Sequence, residues 1–375
     1  MRFYSSDSAV TSAQLSFLQR RLHVDLALLT PLLLLSIFGA IVLYSAFGAQ
    51  IEEVEKHVVR LCIAFGAMVA VAQVPPRRLR DWAPSLYAIS LLLLFAVLVF
   101  GVAEGGARRW LDLGPLRFQP SEMMKLALPM MLSVLLGAGE LPLRWGRVGA
   151  SLLLILVPAG AIAVEPDLGT ALLVAMSGFF ILFLAGLAWW VIVGMTTLAV
   201  ASAPLVWFFF LHDYQRRRVL IFLDPERDPL GAGYHIIQSK IAIGSGGLYG
   251  KGWLNGTQAH LSFLPEQHTD FVFAVLAEEF GLIGVILLLV LYLAVVARGL
   301  RIASHAQDNY ARLLAGSIVL TFFIYYFVNI GMVSAMLPVV GVPLPLISYG
   351  GTSMVTLLAG FGMLMSIHTH RRLLV

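Results

Sequence analysis

The stretch FLPEQHTDF, residues 263 to 271, lies where a long polar interruption meets an apolar run long enough to cross a bilayer. The interruption begins near Leu211, and the sequence on either side of it consists almost entirely of apolar segments joined by short turns. Glu266, His268 and Asp270 crowd together at its far edge. Ionisable groups so close to hydrocarbon are expensive and usually functional, so Asp270 is the residue that we expect to carry chemistry.

Composition assigns the chain to the polytopic membrane proteins. Of its 375 residues, 59% are hydrophobic and 12% are charged, and the mean hydropathy is +0.88, far from the values of a soluble domain. We expect residues 1–375 to form one integral membrane domain. The single cysteine, Cys62, argues against a disulfide framework or a cysteine metal cluster. Residues 1–24 lack the apolar core of a cleavable signal peptide, so the first apolar run is expected to remain as an anchor.

Ten apolar runs approach the length of about 20 residues that a helix needs to cross a bilayer. The predicted fold class is an all-α polytopic membrane protein with about ten transmembrane helices and a large extracytoplasmic loop, 212–269, between helices 7 and 8. The eighth run is longer than a span requires, so it is expected to tilt or to project from the membrane. The runs are approximately 26–47, 57–74, 83–102, 120–138, 148–164, 168–187, 189–211, 270–297, 311–331 and 346–367.

The distribution of arginine predicts the orientation of the chain. If residues 1–25 and 368–375 are both cytoplasmic, the inside segments carry a net charge of roughly +8 and the outside segments roughly −4. The loop at 212–269 and the polar ends of the helices near Asp270 then face outward. The sequence pI of 9.3 is explained by this topology, so we expect no nucleic-acid partner.

The long loop contains features of an anion-binding segment. It begins with three arginines, Arg216 to Arg218, and continues into the glycine-rich stretch GAGYHIIQSKIAIGSGGLYGKGWLNGTQ at 231–258. Glycines permit close approach of backbone to a ligand, and Lys240 and Lys251 add cations suited to a phosphate group. The alternative is a flexible, solvated loop with scattered charge, since no strand and helix flank the glycines as a phosphate cradle requires.

Polar residues also mark the ends of other helices on the same side. In GGARRWLDLGPLRFQPSEMMK (105–125), which includes Arg109, Glu122 and Lys125 are three residues apart on one helical face and can pair, either as a structural salt bridge or beside an aqueous cavity. In EPDLGT (165–170), Asp167 is expected to cap the helix that follows.

Two further stretches converge on the same side. Glu278 and Glu279 lie in the eighth run, where interhelical hydrogen bonding and a catalytic role are both open readings. In GVPLPLISYGGTS (341–353), which includes Ser348, prolines and glycines break the chain before the tenth helix. Irregular backbone at membrane depth is tolerated only inside protein or beside a wet cavity. We infer one site that faces outward.

Other familiar chemistry has no support in the sequence. There is no paired HxxxH, no GxSxG, no P-loop and no CxxC, which argues against zinc hydrolases, serine hydrolases, ATPases and thiol-redox proteins. His235, His260 and His268 are too far apart in sequence to argue a metal site.

The motifs together resemble those of the SEDS family, the shape, elongation, division and sporulation proteins. GARRWLDLGPLRFQPSE, EPDLGT, GSGG followed by GKG, FLPEQHTDF and GVPLPLISYGG occur in that order across nearly the whole chain. The motif KGWLNGTQ followed by FLPEQHTDF resembles RodA, the elongation branch, more closely than FtsW, the division branch.

The resemblance implies a peptidoglycan glycosyltransferase that polymerises lipid II on the outer face of the bacterial cytoplasmic (inner) membrane. The family's essential aspartate maps onto Asp270, and an important glutamate and lysine of the fourth helix map onto Glu122 and Lys125. The implied partners are a class B penicillin-binding protein, which supplies the transpeptidase, and other elongation-complex proteins.

Chemistry and resemblance together give a set of expected site residues. Asp270 is expected to act as general base in an inverting displacement of polyprenyl pyrophosphate, an effect on the order of 10² to 10⁴ in rate. A cationic clamp would steady the pyrophosphate, and a divalent cation, Mg²⁺ or Mn²⁺, is an option; no metal-ligating residue is assigned. The lipid tail is expected in an apolar groove open to membrane lipid. The expected substrate-binding residues are Arg109, Glu122, Lys125, Asp167, Arg216, Lys251, Glu266 and Ser348.

Two other functions remain open at this stage. A flippase or other transporter of lipid-linked cell-wall precursors also fits ten spans with broken helices, although the charges cluster outside and no convincing inverted repeat is found. A non-catalytic scaffold that recruits a partner polymerase is the third reading.

Overall fold

The fold is a bundle of helices with one small sheet at one end, as seen in a computed structural model. The structure describes residues 22–104, 107–112, 117–138, 144–210, 213–228, 232–257 and 267–370. Each of the ten predicted apolar runs contains a helix, although the last helix begins at Thr352, six residues after the predicted start of its run. The corresponding helices are α1 (Leu26–Ala46), α2 (Ile51–Ala72), α3 (Pro76–Phe100), α4 (Pro120–Gly137), α5 (Trp145–Val164), α6 (Leu168–Leu184), α7 (Trp189–Leu205), α10 (Val272–Ser304), α11 (Asn309–Val333) and α12 (Thr352–Thr369).

The membrane-spanning character of these helices follows from length and hydropathy. Within the described ranges, seven helices meet both criteria for a span, namely α1, α3, α5, α7 with its extension to Phe209, α10, α11 and α12. Helix α6 is apolar but shorter, and α2 and α4 carry charged residues in their first turns. This confirms the prediction of an all-α polytopic membrane protein.

Local sequence explains where several of these helices begin. Pro76 and Pro120 occupy the first turns of α3 and α4, where the missing N–H carries no penalty. Asp167 accepts a hydrogen bond from Thr170 N at 3.1 Å, which confirms its predicted role as a cap for α6. Asp308 caps α11 in the same way through Ala311 N at 2.7 Å.

A small sheet that the sequence analysis does not anticipate joins α3 to α4. Its antiparallel strands are β1 (Val102–Glu104), β2 (Ala107–Asp112) and β3 (Arg117–Phe118). The strands are too short for an alternating pattern to stand out in the sequence. The sheet places Arg109 above the start of α6, where its side chain reaches Asp167 and Pro166.

Part of the long polar segment is helical, a point that the sequence left open. A π-helical turn (Val206–Phe210) extends α7, and it is followed by α8 (Asp213–Leu223), a 3₁₀ turn (Pro225–Arg227) and α9 (Ala232–Gly246). Helix α9 packs against α10. The Cβ of a residue replacing Gly246 would lie 2.0 Å from the carbonyl oxygen of Ala277, so this close approach requires glycine.

The eighth apolar run differs from its predicted form. Helix α10 is broken at Gly281, which has φ +61° and ψ −159°. Residues 272–279 before the break are all buried, whereas the part after it presents Leu282, Ile283 and Ile286 to the surroundings. The run is therefore a short buried segment followed by a longer apolar helix, and its tilt or projection from the membrane stays a prediction.

Two large groups of buried apolar residues, and a third small one around Tyr325, hold the described part of the bundle together. The larger joins α1, α2, α10, α11 and α12, and the second joins α3 to α6. Buried aromatic rings such as Tyr292 and Tyr326, stacked with centroids 4.5 Å apart, lie in the larger group. By contrast, none of the described side chains in the most apolar window of α7 is buried.

Candidate active site

The turn that carries Asp270 is held in place by contacts with α1 and with the loop 341–349. Gln267 donates from Nε2 to Ala46 O of α1 at 2.9 Å, and Tyr349 N donates to His268 O at 2.7 Å. Ser348 Oγ donates to Thr269 O at 2.5 Å. A turn bonded on every residue leading up to Asp270 is preorganised, as a catalytic group must be.

Asp270 itself is half-buried at the junction with the loop 341–349. Its carbonyl oxygen accepts a hydrogen bond of 2.9 Å from Asn329 Nδ2, which also donates to Val342 O at 2.7 Å. Gly341 has φ +80°, and a Cβ there would lie 3.5 Å from Asp270 Oδ2. The proline and glycine stretch predicted to be irregular thus lies directly beside the carboxylate.

Ser348, an expected substrate-binding residue, supports this loop from within. It is buried, and its Oγ accepts a hydrogen bond of 2.7 Å from Leu344 N while it donates to Thr269 O. These contacts fix the loop against the turn. They give Ser348 a role in positioning Asp270, whereas a direct contact with substrate stays a prediction.

The predicted pair on α4 is formed and almost fully buried. Lys125 Nζ lies 2.6 Å from Glu122 Oε1, and the two side chains are 9% and 7% exposed. The ammonium group also lies 5.3 Å from the ring centroid of Tyr325. Both charged residues line a cavity of about 40 Å³ between α4, α11 and α12. A buried ion pair beside a cavity agrees with both readings of the sequence, a structural salt bridge and a pair beside an aqueous cavity, so the choice between them stays open.

A second cluster of charge lies at the turn between α5 and α6. Arg109 Nε is 3.6 Å from Asp167 Oδ2 and its Nη2 donates to Pro166 O at 3.2 Å. Glu165 is 2% exposed, and within the described residues its Oε1 has no hydrogen-bond partner. Burial and then the neighbouring Asp167 carboxylate raise the pKa of Glu165 to about 8, against a smaller opposing effect of Arg109.

This turn and Asp270 are connected through one segment of backbone. A Cβ at Gly169 would lie 2.9 Å from Val340 O, and Gly341 is the residue beside the Asp270 carboxylate. The turn at 165–167 and the base therefore flank the same loop. The sequence analysis predicted Asp167 at the site but did not single out Glu165, for which no signal beyond the motif EPDLGT was present.

Lys251 is placed by the glycine-rich loop against the break in α10. Its Nζ lies 2.7 Å from Glu278 Oε1, a fully buried carboxylate, and 2.7 Å from Thr257 Oγ1. The adjacent Glu279 accepts a hydrogen bond from Ser45 Oγ. Glu279 is therefore engaged in an interhelical bond to α1, as the first reading of the sequence expects, whereas Glu278 bonds the glycine-rich loop and pairs with the charge of Lys251.

Two expected site residues are not brought to this cluster by the described contacts. Arg216 donates from Nη2 to Phe208 O at 3.0 Å, at the junction of α7 and α8. Glu266 lies outside the described residues. Their contact with substrate stays a prediction.

A groove leads from the lipid-facing surface to the charged pair on α4. It has a volume of about 300 Å³ and lies between α2, α4 and the start of α12. Ile63, whose side chain is 60% exposed, marks its outer edge. Glu122 and Thr356 line both this groove and the inner cavity, so the two are neighbours. The groove is lined by Arg60, Ile63, Phe118, Glu122, Gly351, Thr352, Val355 and Thr356.

Sequence reasoning missed several residues that organise the site. Asn329 is fully buried. It is a polar residue within the ninth apolar run, and a buried amide needs hydrogen-bond partners, so its position in the sequence could have marked it as part of the site. Arg60 and Tyr349 gave no such signal, because their relation depends on α2 packing against the segment before α12. In the described parts of the chain, no three His, Cys, Asp or Glu side chains are arranged to hold a metal ion.

Comparisons with known proteins agree with this architecture. A family model described as "Cell cycle protein", covering FtsW, RodA and SpoVE, matches residues 25–373. The chain is 54% identical to peptidoglycan glycosyltransferase MrdB of Escherichia coli (strain K12) over 94% of this chain and 96% of the relative. It is 35% identical to the probable peptidoglycan glycosyltransferase FtsW of Geobacter metallireducens, over 93% and 95%.

Solved structures show the same fold. A chain from work on the structural coordination of polymerization and crosslinking by a peptidoglycan synthase complex aligns with a TM-score of 0.80 and 38% identity, covering 92% of this chain and 97% of that one. The crystal structure of the rod shape determining protein RodA of Thermus thermophilus aligns with a TM-score of 0.69 and 32% identity, covering 92% and 96%.

Proposed function

Because this chain belongs to the FtsW, RodA and SpoVE family of cell cycle proteins, we propose that it polymerises lipid II during cell elongation, with Asp270 as its general base. The chain is a peptidoglycan glycosyltransferase. The assignment to elongation is supported by its 54% identity to a MrdB protein against 35% to an FtsW protein.

The proposed reaction is a single inverting displacement. The 4-hydroxyl oxygen of the acceptor sugar forms a bond to the anomeric carbon of the donor as the bond from that carbon to the phosphate oxygen breaks. The hydroxyl proton passes to the Asp270 carboxylate, and polyprenyl pyrophosphate leaves with the electron pair. An α-linked donor then gives a β-1,4 product without a covalent enzyme intermediate.

The observation that carries the assignment is the convergence of three elements on Asp270. Its turn is bonded to α1 and to the loop 341–349, and Asn329 of α11 holds its carbonyl oxygen. Such support keeps a base within the narrow range of geometry that proton transfer requires. These contacts hold the backbone on either side of the carboxylate, as a base in a displacement reaction requires.

We assign charge stabilisation of the leaving group to cations on the elements around the site. Lys125 and Arg109 lie on the elements that flank the site, and Lys251 and Arg216 remain candidates. If Mg²⁺ or Mn²⁺ takes part, the pyrophosphate itself would have to supply ligands, since the described residues offer no complete protein site. The lipid tail would occupy the groove between α2, α4 and α12, which opens beside Ile63.

The chain is a multi-pass membrane protein. We place it in the bacterial inner membrane with both termini in the cytoplasm and Asp270 toward the outer face, on the strength of the arginine distribution. We also propose a class B penicillin-binding protein as partner, together with other elongation-complex proteins. The support is the likeness to a chain of a peptidoglycan synthase complex that couples polymerization to crosslinking.

The test is polymer formation from labelled lipid II by the purified chain with its penicillin-binding partner in lipid nanodiscs. Asp270→Asn keeps the shape of the side chain and is expected to lower the rate about 10²- to 10⁴-fold. Asp81→Asn, an exposed carboxylate at the far end of α3, serves as the matched control. Normal polymerisation by a folded, partner-bound Asp270→Asn would exclude the base assignment, and absence of glycan from the unmutated complex would exclude polymerisation altogether.

A further inference from the structure

Three of the cations that the sequence predicts for the pyrophosphate are paired with carboxylates. Lys125 pairs with Glu122, Lys251 with Glu278 and Arg109 with Asp167. A cation whose charge is already matched by a buried carboxylate binds an incoming anion less strongly than one without such a partner. We therefore expect the pyrophosphate to bind a cation near the site that is not paired with a carboxylate.

Arg60 of α2 meets this requirement. It lines the groove of about 300 Å³ together with Glu122 and Thr356. Within the described part of the chain its guanidinium forms no ion pair, and its recorded contact is with the face of the Tyr349 ring, 4.5 Å from the centroid. The nearby Glu53 carboxylate forms an ion pair with Lys56 at 2.5 Å and accepts a hydrogen bond from the Tyr349 hydroxyl at 3.3 Å.

The position of Arg60 is coupled to the base through Tyr349. The backbone N–H of Tyr349 bonds to His268 O in the turn that carries Asp270, and its side chain lies under the guanidinium. A ring held in this way fixes the direction of the arginine while leaving its N–H donors available to a ligand. The base and this cation are thus positioned by one residue.

A second polar group in the same wall points to a ligand or water. His57, one turn before Arg60 on α2, is fully buried, and neither ring nitrogen has a hydrogen-bond partner among the described residues. Its ring stacks toward Tyr349 with centroids 6.0 Å apart. Buried polar groups in native proteins are rarely left without a partner, so the region between α2 and Tyr349 is built for polar contents.

The groove is also open where a lipid carrier would enter. Ile63, one turn after Arg60, is exposed to the surroundings of the bundle, and Phe118 and Val355 add apolar surface. A ligand with an apolar tail and a diphosphate head would place the tail on these residues and the head at Arg60.

We propose that Arg60 binds the pyrophosphate of the polyprenyl-linked donor at the inner end of this groove. The inference deepens the proposed glycosyltransferase function and rests on it. A guanidinium presents parallel N–H donors that match two phosphate oxygens, so Arg60 recognises the diphosphate rather than a single charge.

The test compares binding of a fluorescent polyprenyl pyrophosphate with the matching polyprenyl monophosphate, using the full chain in nanodiscs. The unmutated chain should prefer the pyrophosphate. Arg60→Ala should weaken pyrophosphate binding about tenfold or more, because charged hydrogen bonds are lost, with a smaller effect on the monophosphate. Arg60→Lys should be intermediate, since it keeps the charge but not the planar fork. Arg78→Ala, an exposed arginine at the other end of the bundle, is the control.

The contribution of the ring is measured with Tyr349→Leu, which removes the ring but leaves the guanidinium. Because the ring directs Arg60 without touching the ligand in this proposal, Tyr349→Leu should lose part of the preference for pyrophosphate and less of it than Arg60→Ala loses. Arg60→Ala should keep the melting temperature of the unmutated chain. Pyrophosphate binding by folded Arg60→Ala equal to that of the unmutated chain would overturn the proposal, as would an equal loss of affinity for pyrophosphate and monophosphate in Arg60→Ala.

Polymerisation of lipid II is measured in parallel, so that failure of the proposed polymerase function can be distinguished from failure of the proposed role of Arg60. Arg60→Ala should raise KM for lipid II more than it lowers kcat. If the unmutated complex makes no glycan, the proposed function fails, and the role of Arg60 is then decided by the binding preference alone.

Discussion

The side-chain amide of Asn329 lies 2.9 Å from the carbonyl oxygen of Asp270 and 2.7 Å from that of Val342, so one donor group joins the turn of the base to the loop beside it. Asn329→Ala would leave both buried carbonyls without this donor. We expect a loss of stability of about 1 to 3 kcal/mol and a fall in polymerisation, measured by melting in nanodiscs and by lipid II turnover.

The control for Asn329 is Ser317→Ala on the same helix. Ser317 Oγ donates to Ser177 O at 2.9 Å in the interior, away from the turn of Asp270. Its loss should lower the melting temperature without a comparable loss of turnover per folded molecule. Equal loss of turnover in both variants would show that Asn329 acts through general stability only.

The pair Glu122 and Lys125 offers a way to separate stability from activity. Glu122→Leu leaves a buried ammonium without its carboxylate, which typically costs about 3 to 5 kcal/mol. The double variant Glu122→Leu, Lys125→Leu should recover most of that stability, because neither charge remains, yet it should not recover polymerisation. Recovery of both would mean that the pair is only structural.

The pKa of Glu165 predicts a dependence of stability on pH. In the unfolded chain this carboxyl titrates near 4.5, whereas burial raises its pKa to about 8 in the folded chain. Between these values the folded chain holds a proton that the unfolded chain has lost, so the stabilising contribution is complete below pH 4.5 and is lost as pH rises through 8. Glu165→Gln should remove this slope from melting curves taken between pH 5 and 9. An unchanged slope would assign the pH dependence to another group.

Lys251 and Glu278 test whether the glycine-rich loop serves binding or structure. Lys251→Met should destabilise the chain, because Glu278 is fully buried and loses its counter-charge. Adding Glu278→Gln should restore both the melting temperature and most of the polymerisation if the pair is structural. A double variant that is folded but inactive would instead support contact of Lys251 with pyrophosphate.

Gly281 should tolerate no side chain. Its φ of +61° and ψ of −159° lie in a region that is nearly exclusive to glycine, and a Cβ there would lie 2.3 Å from Gly250 N. Gly281→Ala should cost at least about 1 to 3 kcal/mol. Gly66→Ala, in α2 with no atom within 4 Å of the added Cβ, should leave the melting temperature unchanged or raise it.

The parts of the fold that follow from local pattern were predictable. Ten apolar runs became ten helices because hydropathy over about 20 residues is a property of the run itself. The pairing of Glu122 with Lys125 and the cap at Asp167 follow from spacing within one helix and were confirmed. The break at Gly281 was not predicted, since a single glycine in an apolar run is compatible with a continuous helix.

The residues that long-range packing brings together were not accessible from sequence. Arg60 meets Tyr349, and Ser45 meets Glu279, only because helices distant in the sequence pack together. The same holds for Lys251. Its positive charge is evident from the sequence, but the sequence does not indicate that the buried Glu278 is its counter-ion.

The interruption of α10 at Gly281 separates the buried segment next to Asp270 from the part of the helix that presents side chains to the surroundings. A membrane that thickens or thins acts on a spanning helix by changing its tilt. Residues 272–279 are buried inside the protein, and the backbone N–H groups of Leu282 and Ile283 just after the break donate to Gly247 O and Leu248 O. We therefore expect the base to keep its position in membranes of different thickness, so turnover should vary less with acyl-chain length than the tilt of the outer helix does.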